Sequence, residues 1–161
     1  MPTFRTFPTR PSNEPQYRRW LKVQHGVNLA DQRARYQSLT SAMAAEMYAN
    51  RFWRDLEQKL GSAERDYFSE HAAGLLTYDR APELELKSFD SLINKTFRLN
   101  VLENDRWPSS PRGGWLTPDR WLEQVKDVVR TTILVRFLDG VPFLLRELTD
   151  MASNLKLRKL S

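Results

Sequence analysis

The sequence predicts a helix-rich protein of the α/β or α+β class, and three observations carry that expectation. Between residues 16 and 80, apolar side chains recur three and four apart, the spacing of helices that bury one face. From Val128 to Phe137 the chain is rich in Val, Thr and Ile, the β-branched composition of a strand. Between these regions a short alternating stretch, a helical pattern, a loop and a second helical pattern follow one another, so strands alternate with helices.

Each element has its own signal. Residues 1–15, rich in proline and without an apolar run, are expected to form a disordered arm. A short helix over Gln16 to Gln24 ends at Gly26. Asn28 is a suitable N-cap for one long amphipathic helix to Leu60, with Leu39, Met43, Met47, Phe52, Trp53 and Leu56 on its core face and Gly61 as its stop. Ser62 then caps a further helix that buries Tyr67, Phe68, Ala72, Leu75 and Leu76. Leu84 to Ser88 alternates as a strand, and a helix over Phe89 to Val101 buries Phe89, Leu92, Ile93, Phe97 and Val101. The prolines and paired glycines of residues 104–114 exclude regular structure. Thr117-Pro118 opens a helix whose inner face holds Trp121 and Val125. The Val128 to Phe137 strand turns its wetter face, Val128, Arg130, Thr132, Leu134 and Arg136, away from Val129, Thr131, Ile133, Val135 and Phe137. Asp139 caps a last helix with Val141, Leu144, Leu145, Leu148 and Met151 in one stripe, closing on Lys156, Arg158 and Lys159. The two strands, joined through helices, are expected to pair parallel or within one mixed sheet.

Composition narrows the function classes. The chain has 161 residues, 40% hydrophobic and 28% charged, which suits one ordinary core. It contains no cysteine, so disulfide frameworks and thiolate metal sites are excluded, and a cytoplasmic location is expected. His25 and His71 lie in separate helices without a metal-ligand pattern. No stretch is long enough to span a membrane. The net charge is +5, and Arg18, Arg19, Arg33, Arg35, Arg51 and Arg54 make the N-terminal third basic, as a soluble helix surface or as a face that meets phosphates.

The stretch that carries chemistry begins at Lys87. Lys87, Ser91 and Lys95 recur every four residues, so a helix over this segment would stack two ammonium groups and a hydroxyl along one face, beside unpaired N–H groups at its start. Such a row suits a polyphosphate. Asp127, before the second strand, would supply a carboxylate for Mg²⁺, which takes only one or two when bound to a nucleoside triphosphate. In the loop, Arg106 and Arg112 would close over a nucleotide, with Trp107 or Trp115 either stacking on a base or anchoring the loop. The same residues also fit a solvated helix face and a turn acid, and that reading stays open.

Lys-x-x-x-Ser-x-x-x-Lys followed some thirty residues later by Asp127-Val128-Val129 resembles the synthetase domain of the RelA/SpoT family over roughly the second half of the chain. The family pattern has Arg where this chain has Glu85 and Thr132; Arg80 and Arg130 are the nearest substitutes. The resemblance implies N-terminal helices packed on a partial nucleotidyltransferase-like mixed sheet. It implies a single domain over 16–161, in which 16–80 is the helical N-terminal part and 82–161 binds nucleotide. It implies ATP-phosphate contacts from Lys87, Ser91, Lys95 and Arg130, with Asp127 as catalytic Mg²⁺ ligand. The activity implied is transfer of pyrophosphate from ATP to the 3′-hydroxyl of a guanine nucleotide or, as in toxic members, to the 3′ end of tRNA. Because the family sheet has more strands, the chain is expected to stop midway through the domain, to turn over little alone, and to self-associate or meet a missing C-terminal segment or an antitoxin. A non-catalytic helical RNA- or protein-binding regulator is the alternative.

Overall fold

The computed structural model describes residues 9–77 and 82–154. The protein is a helix-rich α+β chain with the order α1 (Glu14–His25), α2 (Leu29–Ala49), α3 (Arg51–His71), β1 (Glu85–Leu86), α4 (Phe89–Phe97), a π-helical turn (Arg98–Leu102), α5 (Trp121–Gln124), β2 (Val129–Arg130) and α6 (Gly140–Asn154). Its contacts form two compact units, one from residues 1–42 and 86–130, the other from 43–85 and 131–161. Each unit therefore draws on both halves of the sequence, where contiguous parts meeting near residue 80 are expected. No described helix is long and apolar enough to cross a membrane.

In the first unit, α1 starts where the Asn13 side chain accepts from the Gln16 N–H and ends where Gly26 takes φ +64°. Tyr17, Trp20 and Leu21, three and four apart, are buried against Phe97, Val101 and Leu116 in one core. The N-terminal arm is not loose throughout. Arg10 donates to the carbonyls of Val101, Leu102 and Asn104, the end of the π-turn, and Pro11 is fully buried. Residues 1–8 of that arm, like Arg80 and the cations at Lys156, Arg158 and Lys159, lie outside the described residues. The helix expected to run to Val101 is regular only to Phe97. The π-turn then carries Asn100 and Val101 into the core, where Asn100 donates to the Tyr17 hydroxyl (2.7 Å) and accepts from the Leu116 N–H (2.8 Å).

In the second unit, α3 and α6 bury Leu56, Leu60, Ala63, Tyr67, Phe143 and Leu144 together with Leu75. Gly140 at the start of α6 leaves room for the Leu75 side chain, which a Cβ would meet at 2.8 Å. The Lys59 ammonium lies 2.6 Å from the Glu147 carboxylate across these helices. Residues 75–77 pair with 134–136 as an antiparallel bridge, closed by Thr77 N–H to Leu134 C=O (3.0 Å) and Arg136 N–H to Leu75 C=O (2.8 Å).

Several expectations are corrected. The helix expected over residues 28–60 breaks at Asn50, whose extended backbone and side-chain acceptance from the Phe52 N–H start α3. Gly61 does not end a helix and Ser62 does not cap one; α3 runs through both, because Leu60 and Ala63 bury on α6 and outweigh a glycine cost of about 1 kcal/mol. The expected core stripe fails at Leu39, Met43 and Met47, which are exposed, as are Phe68, Val141 and Leu145. Thr117-Pro118 opens a turn, and α5 begins only at Trp121. The strands shrink most. Ser88 caps α4 instead of ending β1, and Val128 to Phe137 provides only β2 and the isolated bridge at Val135. β-branched residues favour extended backbone, but a strand needs a partner along its length. The alternation survives in burial only from Val129 to Arg136, with Val129, Thr131, Ile133 and Val135 half-buried and Arg130, Thr132, Leu134 and Arg136 exposed; it fails at both ends, where Val128 of the expected wetter face is buried in the first core and Phe137 of the apolar face is exposed. The pairing of β1 with β2 is antiparallel, not parallel or mixed: Lys87 N–H meets Val128 C=O (2.8 Å), while the earlier Glu83 C=O meets the later Thr131 hydroxyl (2.9 Å).

Candidate functional site

The site lies in the first unit, around the start of α4. Ser88 caps that helix, its hydroxyl oxygen accepting from the Ser91 N–H (3.1 Å), so Lys87 stands just before the helix rather than in a continuous helical row. Its backbone is held twice, by N–H donation to Val128 C=O (2.8 Å) and by the Tyr36 hydroxyl on its own C=O (2.9 Å). Thus fixed, Lys87 sends its ammonium 2.9 Å from Asp127 Oδ2, while Lys95, in the last turn of α4, reaches Asp127 Oδ1 at 2.7 Å. The side chains keep 15%, 32% and 37% of their surface for Lys87, Lys95 and Asp127, enough for a ligand to reach them. Asp127 precedes β2, so the strand pleat does not set its direction.

Two cations on one carboxylate hold the Asp127 carboxyl far below the usual carboxylate range, Lys95 contributing most and Lys87 next. The trio keeps one net positive charge. Burial, and then the Asp127 charge, push the Tyr36 phenol up to about 12, so it stays a neutral donor to Lys87.

The other candidate residues are placed less closely. Ser91 is exposed in the first turn of α4, its hydroxyl receiving a hydrogen bond from Ser88 (2.9 Å). Arg130 is an exposed residue of β2. Arg106 and Arg112 are exposed in the 103–116 loop, and no described contact brings them to Asp127. That loop is anchored by Trp107, packed 5.5 Å from Trp20 and 5.8 Å from Trp115, and by Asn104, whose amide donates to Ser109 C=O (2.8 Å).

A second charged cluster has no counterpart among the sequence-based candidates. Asp90, in the first turn of α4, takes Arg18 at 2.8 Å and Arg33 at 2.7 Å, and both guanidinium groups lower its carboxyl, Arg33 first. The basic N-terminal third was its only sequence signal; the common acid was not legible, because the arginines lie on α1 and α2. Tyr36, likewise missed, reads in sequence as a core aromatic.

Mg²⁺ fits the donor set on one condition. Asp127 is one carboxylate, and no group of three or more His, Cys, Asp or Glu side chains able to hold a metal occurs among the described residues. A nucleotide-borne Mg²⁺ takes most of its ligands from phosphates and water, so Asp127 would suffice for that ion but not for a free one.

No protein-family model, no curated protein and no solved structure matches the chain.

Proposed function

We propose that the first unit holds the phosphates of a magnesium-bound nucleoside triphosphate at Lys87, Ser91, Lys95 and Asp127, as part of a RelA/SpoT-type pyrophosphokinase with nucleotidyltransferase-like packing. The observation that carries this reading is the meeting of two lysines on opposite oxygens of one partly exposed carboxylate. A structural ion pair needs one cation for one acid; the second leaves a net positive charge in reach of solvent. Each ammonium has three donors, so its bond to Asp127 leaves others for phosphate oxygens.

In the proposed reaction the acceptor hydroxyl oxygen bonds to the β-phosphorus of ATP, the bond from that phosphorus to the oxygen bridging to the α-phosphate breaks, AMP leaves with that oxygen, and the hydroxyl proton passes to solvent water. Lys87 and Lys95 hold oxygens of the β- and γ-phosphates and offset charge as it builds. Lys87 is positioned before the ligand arrives by Tyr36 and Val128, which lowers the ordering needed on binding. Mg²⁺, held by Asp127, would neutralise further phosphate charge. The acceptor is a guanine nucleotide or the 3′ end of tRNA.

The test is titration of the whole chain with ATP and Mg²⁺ at fixed salt. Lys95→Ala is expected to weaken binding about ten- to a hundredfold, the value of one charge-assisted hydrogen bond, against little change for Lys22→Ala on the exposed side of α1. ATP with GDP, GTP or deacylated tRNA then identifies the acceptor by transferred label. A second reading, a non-catalytic RNA-binding module, draws on the exposed basic side chains Arg33 and Arg35 of α2. Equal losses for both lysines, with steep salt dependence on RNA, would replace the first reading by the second.

A further inference from the structure

A helix that packs on one neighbour needs one apolar face, and α6 has two. Its inner face holds Phe143 and Leu144, buried with Leu56, Leu60 and Tyr67 of α3. A second row points away from that core: Leu138 is 90%, Val141 51% and Leu145 64% exposed, three and four apart, with Pro142 exposed among them. The turn before α6 already winds like the helix, since the Val141 N–H donates to Leu138 C=O (3.2 Å), so Leu138 continues the line of Val141 and Leu145. Single exposed leucines are ordinary, but a contiguous apolar row marks a contact surface.

The charges beside the row say what covers it. Asp139 and Arg146 are both exposed and stand seven residues apart, close to two turns, so they share one flank of the row. Arg146 leans over the Phe143 ring (5.0 Å) and passes 3.6 Å from Glu147, and Asp139 is hydrogen bonded to the Tyr67 hydroxyl; the guanidinium keeps further donors and the carboxylate further acceptors. When two copies of one helix pair antiparallel about a two-fold axis, the same flank of each meets, running in opposite directions. Asp139 of one copy then comes opposite Arg146 of the other, twice over, while Leu138 comes opposite Leu145. One register satisfies both pairings, because both are centred next to Pro142. With Asp150 the flank reads acid, base, acid, unlike the lysine- and arginine-rich border of a helix that lies on a lipid surface.

We infer that the outer face of α6 is a homodimer surface, on which a second copy of the chain lays its own α6 antiparallel, covering Leu138, Val141 and Leu145 and pairing Asp139 with Arg146 at both ends. The apolar row supplies the affinity; exposed ion pairs add little to it and set direction and register. The surface belongs to the second unit and does not rest on the nucleotide reading of the first.

The experiment measures the mass of the full chain by sedimentation equilibrium over a concentration series at low ionic strength, where surface charges are least screened. The wild type is expected to pass from one copy to two. Leu145→Glu, on the face turned away from α3, is expected to weaken pairing at least about tenfold with an unchanged helix signal in circular dichroism. Asp139→Lys and Arg146→Glu each set like charges against one another at both contacts, and each is expected to weaken pairing several-fold. An equimolar mixture of those two variants restores opposite charges at both contacts and is expected to regain the wild-type affinity, which only the antiparallel register allows. A wild type that stays monomeric up to about 1 mM would overturn the proposal. So would pairing that Leu145→Glu leaves intact, or charge variants whose mixture pairs no better than either alone.

Discussion

Asn100 has no exposed surface, and its amide uses both ends: it donates to the Tyr17 hydroxyl and to Leu116 C=O (3.1 Å) and accepts from the Leu116 N–H. One side chain thereby fixes α1, the π-turn and the end of the 103–116 loop. Leucine would fill similar space but strand the Leu116 N–H away from water at a cost of about 1–3 kcal/mol, while Leu116 C=O keeps the Trp121 indole N–H and the Tyr17 hydroxyl keeps Thr96. Asn100→Ala also opens a cavity. The expected loss for Asn100→Ala is about 2–4 kcal/mol, seen as a lower urea midpoint at unchanged slope. An unchanged midpoint would mean that water replaces the amide. Sequence marked Val101 as core but gave no sign of Asn100, because a buried amide is recognised only by partners distant in the chain. Lys87, Lys95 and Asp127 were legible for the opposite reason: their chemistry shows in residue type, and only their meeting needed the fold.

At the scale of elements, Asp127 is a staple. It joins the residue before the α4 cap, the last turn of α4 and the entry to β2, all by charge-assisted hydrogen bonds. The partly exposed pairs are screened by solvent, so Asp127→Asn is expected to cost about 1–2 kcal/mol, between a surface and a buried pair. The pH dependence has a definite sign. The folded-state carboxyl lies far below the ordinary value of about 4, so its contribution is present above that value and is lost as pH falls below it. Urea midpoints of the parent should fall in that acid range and those of Asp127→Asn should fall less. Parallel pH curves would show that the lysines find other partners. The strands on either side of this staple are where sequence reading overreached: β1 and β2 span two residues each, though the β-branched run is longer.

At the scale of the whole molecule, the chain passes between its two units near residues 42, 85 and 130. The core of the first unit combines Tyr17, Trp20 and Tyr36 with Phe89, Ile93, Trp121 and Val128. The core of the second combines Leu56, Leu60 and Tyr67 with Phe143 and Leu144. Residues 16–80, which sequence marks as one helical part, therefore contain the smaller part of the first core and the larger part of the second. Expressed alone, that fragment should retain local helix signal but lose a cooperative thermal transition, because isolated helices of this length are marginal without packing. A sharp transition in the fragment would show that α1 to α3 form their own core.

The sequence by itself determined what local chemistry decides. Apolar spacing places α1, α4 and α6 close to where they lie, with Gly26 at the end of α1, whereas the caps Asn13 and Ser88 fall within the expected arm and the expected strand. Residue type likewise singled out Lys87, Lys95 and Asp127. Tertiary structure alone decided the rest: that Asn50 breaks a helical pattern while Gly61 does not, that a β-branched run pairs over only part of its length, and that the Tyr36 hydroxyl holds the backbone of Lys87. Those outcomes depend on partners far along the chain, and a strand, a tolerated glycine or a convergent pair of cations exists only when folding supplies them.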